Sequence, residues 1–155
     1  MKKVALKYLD RKVCPVMRSI AEIGDKWILL ILRESFFGFK RFDDFQKNLG
    51  VSRSVLSNKL SKMVALNLLE KTSYQNENDR VRYEYKLTKK GKDLNKVVIS
   101  LLEWGNEHVV KAGEVTVKIV EKETCEDVKI DLLSEKGETV KWRDVKIEAS
   151  EGRAK

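Results

Sequence analysis

Gly50-Val51-Ser52-Arg53-Ser54-Val55-Leu56-Ser57-Asn58-Lys59-Leu60-Ser61-Lys62-Met63-Val64 has two faces of opposite chemistry. Wound as a helix from Ser52, it gathers Leu56, Leu60, Met63 and Val64 into one apolar stripe. The other faces carry Arg53, Ser54, Ser57, Asn58, Ser61 and Lys62, with no acid among them. A solvated helix ordinarily mixes Glu with its Lys, for solubility and for i,i+4 pairing. A face of Arg, Lys, Asn and Ser without a carboxylate suits a polyanion. Arg and Lys meet phosphates or guanine edges, Asn meets adenine, and Ser meets either. The plainer alternative is a surface helix that happens to lack acids. Ser52 is a good N-cap, and Gly50 suits a tight turn out of a preceding helix.

That preceding element is Arg41-Phe42-Asp43-Asp44-Phe45-Gln46-Lys47-Asn48-Leu49, a short helix with Phe42, Phe45 and Leu49 on one side. Helix, glycine turn, polar-faced helix is the helix-turn-helix pattern. Downstream the period changes. Leu68 to Tyr74 reads as a strand, Gln75-Asn76-Glu77-Asn78-Asp79 as a polar turn, and Arg80 to Leu87 as a second, alternating strand. The two make a hairpin directly after the helix, which is a wing. Arg80 and Arg82 share a strand face near its tip, within reach of phosphates or a minor groove. A solvated strand face is the alternative for both arginines.

Further from the centre, Pro15 is the sole proline and sits where a helix can start. The helix Pro15 to Ile23 is expected to bury Val16, Ile20 and Ile23 before Gly24 breaks it. A second helix from about Asp25, with Trp27, Ile28, Leu30, Ile31 and Leu32, is apolar nearly all round and should form the central core helix. Thr88 is a candidate N-cap for a long helix from Lys89 to about Lys111. Its apolar set, Leu94, Val97, Val98, Leu101, Leu102, Trp104 and Val109, is wider than one contact needs, so it can serve its own subunit and a second copy. After Gly113 the apolar residues alternate: Val115, Val117, Ile119; Val128, Ile130, Leu132; Val140, Trp142 and then Val145, Ile147. About three antiparallel strands are expected, with a turn at Glu135-Lys136-Gly137-Glu138. Three strands alone are marginal, so they should dock on the helical body or on a dimer mate. The expected division is residues 1–112 as a winged helix-turn-helix domain and residues 113–155 as a small β appendage, a mainly α protein with a β wing.

Charge is unevenly spread over the 155 residues. Residues 1–113 carry 23 Lys and Arg against 13 Asp and Glu, a net +10; residues 114–155 carry 9 against 11, a net −2. So basic an N-terminal portion is an electrostatic footprint for nucleic acid or an anionic surface. The longest apolar run, Trp27 to Leu32, is far short of the roughly 20 residues a membrane span needs. Residues 1–13 lack the apolar stretch of a secretion signal, and two cysteines this far apart build no disulfide framework. A cytoplasmic protein is expected. Cys14, Cys125 and His108 lack metal-ligand spacing, and neither a metal nor a cofactor is expected. No nucleophile–base pair, phosphate loop or carboxylate constellation suggests an enzyme.

A series of motifs carries a family resemblance. Cys14-Pro15-Val16 and Ile23-Gly24-Asp25-Lys26-Trp27-Ile28-Leu29-Leu30-Ile31-Leu32-Arg33-Glu34 open it. Arg41-Phe42, Ser52-Arg53-Ser54-Val55-Leu56-Ser57, Leu60 and Leu69-Glu70-Lys71 follow. Arg82-Tyr83-Glu84-Tyr85-Lys86-Leu87-Thr88-Lys89-Lys90-Gly91 and Glu103-Trp104-Gly105 close it. The chain resembles the HxlR-type transcriptional regulators over residues 14 to about 108. The resemblance implies a winged helix-turn-helix homodimer that binds operator DNA, with the helix Ser52 to Ala65 as reader. It also implies dimerisation through the helices around Cys14–Ile23 and Lys89–Lys111. The appendage departs from the usual family pattern.

Arg53, Ser54, Ser57 and Asn58 are the expected groove contacts, since N-terminal residues of a reading helix approach base edges. Lys59, Lys62, Arg80 and Arg82 are the expected phosphate contacts with double-stranded DNA. Some members of the family sense oxidants or electrophiles through a cysteine near the start, and Cys14 occupies the matching Cys-Pro position. A helix start, with Arg11, Lys12 and Arg18 nearby, gives the electropositive surroundings that reactive cysteines use; an inert cysteine at a dimer seam is the alternative. Cys125 has no evident partner, and nothing indicates a small-molecule effector. A winged-helix protein-interaction module, with the appendage as its working part, is the second functional expectation.

Overall fold

The computed structural model describes residues 14–74, 82–114 and 116–146. α1 (Pro15–Ile23) and α2 (Lys26–Phe36) come first, followed by α3 (Phe42–Leu49) and α4 (Arg53–Ala65). β1 (Leu69–Tyr74) and β2 (Arg82–Leu87) form an antiparallel pair from Leu69 opposite Leu87 to Tyr74 opposite Arg82. α5 (Lys89–Asp93) and α6 (Asn95–His108) follow, then two short strands, β3 (Leu132–Leu133) and β4 (Thr139–Val140). The fold is a winged helix-turn-helix with small antiparallel sheets, as the pattern of periods predicts.

The core explains why these segments hold together. Ile28, Ile31 and Leu32 of α2, Phe45 of α3, Leu56, Leu60 and Met63 of α4, and Leu68 and Leu69 are all essentially inaccessible to solvent. α2 is thus the central helix. Each such side chain contributes about 1.5–3 kcal/mol on burial, which outweighs any single surface interaction in the molecule. Gly50 ends α3 in the left-handed region at φ +59, its N–H donating to the Gln46 carbonyl at 3.0 Å. Val51 is buried in the turn, and the Ser52 hydroxyl accepts from the Val55 N–H at 3.4 Å to cap α4. Glu34 is the one buried charge among the described residues. Its carboxylate accepts from Arg33 Nε at 3.0 Å and from Asn48 Nδ2 at 2.7 Å, tying α2 to the end of α3. The wing gains a third backbone partner, because Arg41 bridges Glu84 and the Tyr85 N–H donates to the Lys40 carbonyl at 2.8 Å.

Three expectations are corrected. First, α1 does not bury Val16 and Ile20 within the chain; they are 65% and 57% exposed. α2, α3, α4 and the wing base already close the core, and α1 reaches it only through half-buried Ile23. Second, the long helix is two helices, divided at Leu94 (φ −75, ψ −5). Gly91 lies so close to the Leu68 carbonyl oxygen that an added Cβ would stand 2.1 Å from it, which fixes α5 against the base of the wing. Asp93 and Asn95 flank the break, residues whose side chains compete with helical hydrogen bonds. α6 then turns along α2. Thr88 does cap the first piece: its hydroxyl accepts from the Gly91 N–H at 3.1 Å and donates to the Asn67 carbonyl at 2.6 Å.

Third, among the described residues the alternation after Gly113 yields only the two-residue strands and an isolated bridge between Val120 and Asp127; Trp142–Asp144 winds into a 3₁₀ turn. The residues of this segment are mostly exposed, so there is little apolar burial to extend a sheet. The turn around Gly137 (φ +81) is present as expected. Val115 and Ile147 lie outside the described residues. The segment docks on α6, as expected, and its backbone groups hydrogen-bond to α6 side chains. The Asn106 amide donates to the Val117 carbonyl at 2.7 Å and accepts from the Val117 N–H at 3.4 Å. The Ile130 N–H donates to Glu103 Oε1 at 3.1 Å.

Candidate nucleic-acid interface

α4 turns its apolar stripe to the core and leaves Arg53, Ser54, Ser57, Asn58, Ser61 and Lys62 exposed. Arg53 is exposed yet steered. Its guanidinium lies 4.9 Å from the centroid of the Phe42 ring, its Nη1 donates to Gln46 Oε1 at 3.3 Å, and it stands 3.7 Å from Asp43 Oδ1. These partners lay the side chain across the start of α3 rather than into free solvent. The Ser54 hydroxyl is 3.2 Å from that of Ser52.

The wing meets this helix at a cleft of about 320 Å³, lined among others by Arg41, Phe42, Arg53, Ser57, Arg82 and Tyr83. Three arginines from three elements therefore converge on one concavity. Arg41 is held over the Tyr74 ring, 5.1 Å from its centroid, and is 3.8 Å from the Glu84 carboxylate. Lys71 sits 3.8 Å from the centroid of the Tyr83 ring on the wing. Arg41, Lys71 and Tyr83 were not among the expected contacts. Their signal in the sequence was local: Lys71 and Tyr83 stand on the two strands of the wing among further basic and tyrosine residues, and Arg41 just before α3. Arg80 lies outside the described residues.

Lys59 is placed differently from its α4 neighbours. Its ammonium donates to Asp25 Oδ2 at 2.6 Å, at the start of α2, while Asp25 Oδ1 caps α2 by accepting from the Trp27 N–H at 2.9 Å. The Lys59 ammonium, helped by that N–H, holds the Asp25 carboxyl below the usual carboxylate range against its partial desolvation. Cys14 is the N-cap residue of α1, half-buried, and its side chain makes no capping bond. Cys125 is exposed in the appendage. Among the described residues no cluster of His, Cys, Asp and Glu is arranged to hold a metal, and no helix is long and apolar enough to cross a membrane.

Comparison with known proteins agrees with this geometry. A family model described as HxlR-like helix-turn-helix matches residues 22–113. An HTH-type transcriptional regulator of Mycobacterium tuberculosis, itself uncharacterised, is 38% identical over 104 residues, covering 67% of this chain and 65% of that one. The chain thus matches just under two thirds of that relative's length. The HTH-type regulator YybR of Bacillus subtilis, also uncharacterised, is 28% identical over 99 residues, covering 63% of this chain and 78% of that one. Among solved structures, PA1607, described as a candidate transcription factor, superposes with a TM-score of 0.77 at 28% identity, covering 93% of this chain and 99% of that one. Coverage that complete takes in most of the segment after Gly113, so the appendage has a structural counterpart. The redox regulator HypR in its reduced form superposes with a TM-score of 0.54 at 26% identity, covering 60% of this chain and 91% of that one.

Proposed function

Since the chain belongs to the HxlR-like helix-turn-helix family of DNA-binding transcriptional regulators, we propose that it acts on specific operators as a homodimer. Each subunit lays α4 in a major groove and its wing along the backbone. The observation that carries this reading is the acid-free, exposed face of α4 beside a cleft where Arg41, Arg53 and Arg82 converge. Arg53, Ser54, Ser57 and Asn58 read base edges; Lys62, Arg80 and Arg82 hold phosphates, with Arg41 beside them.

Two exposed apolar faces support the homodimer. Val16, Met17 and Ile20 line one side of α1, and Val97, Leu101 and Trp104 line one side of α6, all open to solvent in the single chain. Helices with such faces ordinarily bury them. Cys14 begins α1, at the edge of one of these faces, and we propose that its oxidation or alkylation changes DNA affinity by disturbing that seam. The likeness to a redox regulator supports the same reading.

The test is selection of bound fragments from the source genome by reduced and by oxidised protein. Enrichment of a two-fold symmetric sequence is the expected result, with weaker or stronger retention after oxidation. No sequence enrichment and no salt-dependent retention on duplex DNA would favour a protein-interaction role instead. Equal enrichment in both redox states would leave Cys14 as a structural residue.

A further inference from the structure

The Asp25–Lys59 pair spans two parts of the molecule with separate tasks. α2 lies along α6, with Leu29 and Leu30 beside Val98 and Leu101, on the side where the apolar faces are open. α4 carries the exposed polar face. At the first residue before α2, one carboxylate does two things: Oδ1 caps the helix through the Trp27 N–H at 2.9 Å, and Oδ2 accepts from Lys59 at 2.6 Å. Lys59 and Asp25 are each about a quarter to a third exposed, so the bond is partly shielded from water and salt. An ammonium already committed at this distance to a carboxylate is poorly placed to neutralise a phosphate.

We infer that Lys59 is a positioning residue, not a phosphate contact: with Asp25 it is a strut that fixes the angle of α4 on α2 and so the spacing at which two copies present their reading helices. This rests on the DNA-binding reading above. The capping role makes the strut directional, because Asp25 cannot follow Lys59 without releasing the first turn of α2. A shift of α4 by an ångström or so at one end is enough to mismatch base-edge hydrogen bonds, whose donor–acceptor distances span only about 2.7–3.2 Å.

Two variants separate the roles. Asp25→Asn keeps a good N-cap and removes the charge; Lys59→Met keeps the aliphatic stem and removes the ammonium. Asp25 carries no positive charge to offer DNA, so a phosphate role for Lys59 predicts that Lys59→Met weakens binding and Asp25→Asn does not. For a strut, each variant weakens operator binding by about five- to tenfold, and the double variant is no worse than either alone. Both leave the slope of log affinity against log salt unchanged, and both broaden the accepted half-site spacing in selection from a library of spacers.

Loss of about one unit of salt slope in Lys59→Met, with Asp25→Asn binding as the unsubstituted protein does, would overturn the strut and make Lys59 a phosphate contact. A fall in thermal stability with unchanged operator affinity and spacing in both variants would also overturn it. Absence of salt-dependent DNA binding by the unsubstituted protein is a different failure, and would remove the underlying reading and the inference together.

Discussion

Single side chains on α4 divide by what already holds them. Arg53 is guided by Phe42, Gln46 and Asp43, whereas Ser57 and Asn58 face outward on the same helix. Arg53→Ala and Asn58→Ala should each lose about 1–3 kcal/mol of preference for the operator over unrelated duplex, read by competition binding at fixed salt. Arg82→Ala should instead weaken both sequences alike and flatten the salt slope by about one unit. Asp25 gives a pH signature. Its folded carboxyl titrates below the ordinary range, so its contribution to stability is full above the unfolded value, about 4, and fades as pH falls through the lower folded value. Urea midpoints of the unsubstituted protein and Asp25→Asn should therefore differ at neutral pH, on the order of 1 kcal/mol, and converge in acid. The sequence showed which residues share the polar face of α4, because helical period fixes that. It did not show that Lys59 is taken by Asp25, since pairing across 34 positions depends on how two helices cross.

At the scale of elements, the sequence was most informative where one period ran unbroken to a clear stop. α1, α3 and α4 begin and end at Pro15, Gly50 and Ser52 as their chemistry requires. The division at Leu94 was passed over in the sequence, although the apolar stripe starts only at Leu94 and Asp93 and Asn95 flank it. What the sequence does not show is the tertiary contact beside the break, the close approach of Gly91 to the Leu68 carbonyl. Gly91→Ala should force α5 off the wing base and cost about 1–3 kcal/mol, seen as a lower denaturation midpoint, although alanine is the better helix former. The strands of the appendage were over-read for the converse reason: alternation signals a sheet only when one face is buried, and here both are largely wet.

For the whole molecule, the winged body and its basic charge were apparent from composition and pattern, and the wide apolar set after Leu94 already suggested a second copy, whereas the exposure of Val16 and Ile20 on α1 was not foreseen. A single chain leaves Ile20, Leu101 and Trp104 in water. If the proposed homodimer forms, placing charges there, as Ile20→Glu with Leu101→Glu, should give monomer in sedimentation velocity and weaken operator binding by at least about a hundredfold, because two half-sites are then bound independently. The fold of each monomer should persist, since none of the core side chains belongs to those faces.

The mooring of the appendage bears on which positions tolerate substitution. Asn106 grips Val117 by its N–H and carbonyl, and those groups are the same whatever side chain stands there. Among the described residues, no buried core residue and no half-buried hydrophobic packed against the core lies beyond Val98. An attachment made to peptide groups tolerates a change of side chain at Val117, so long as the backbone keeps its course.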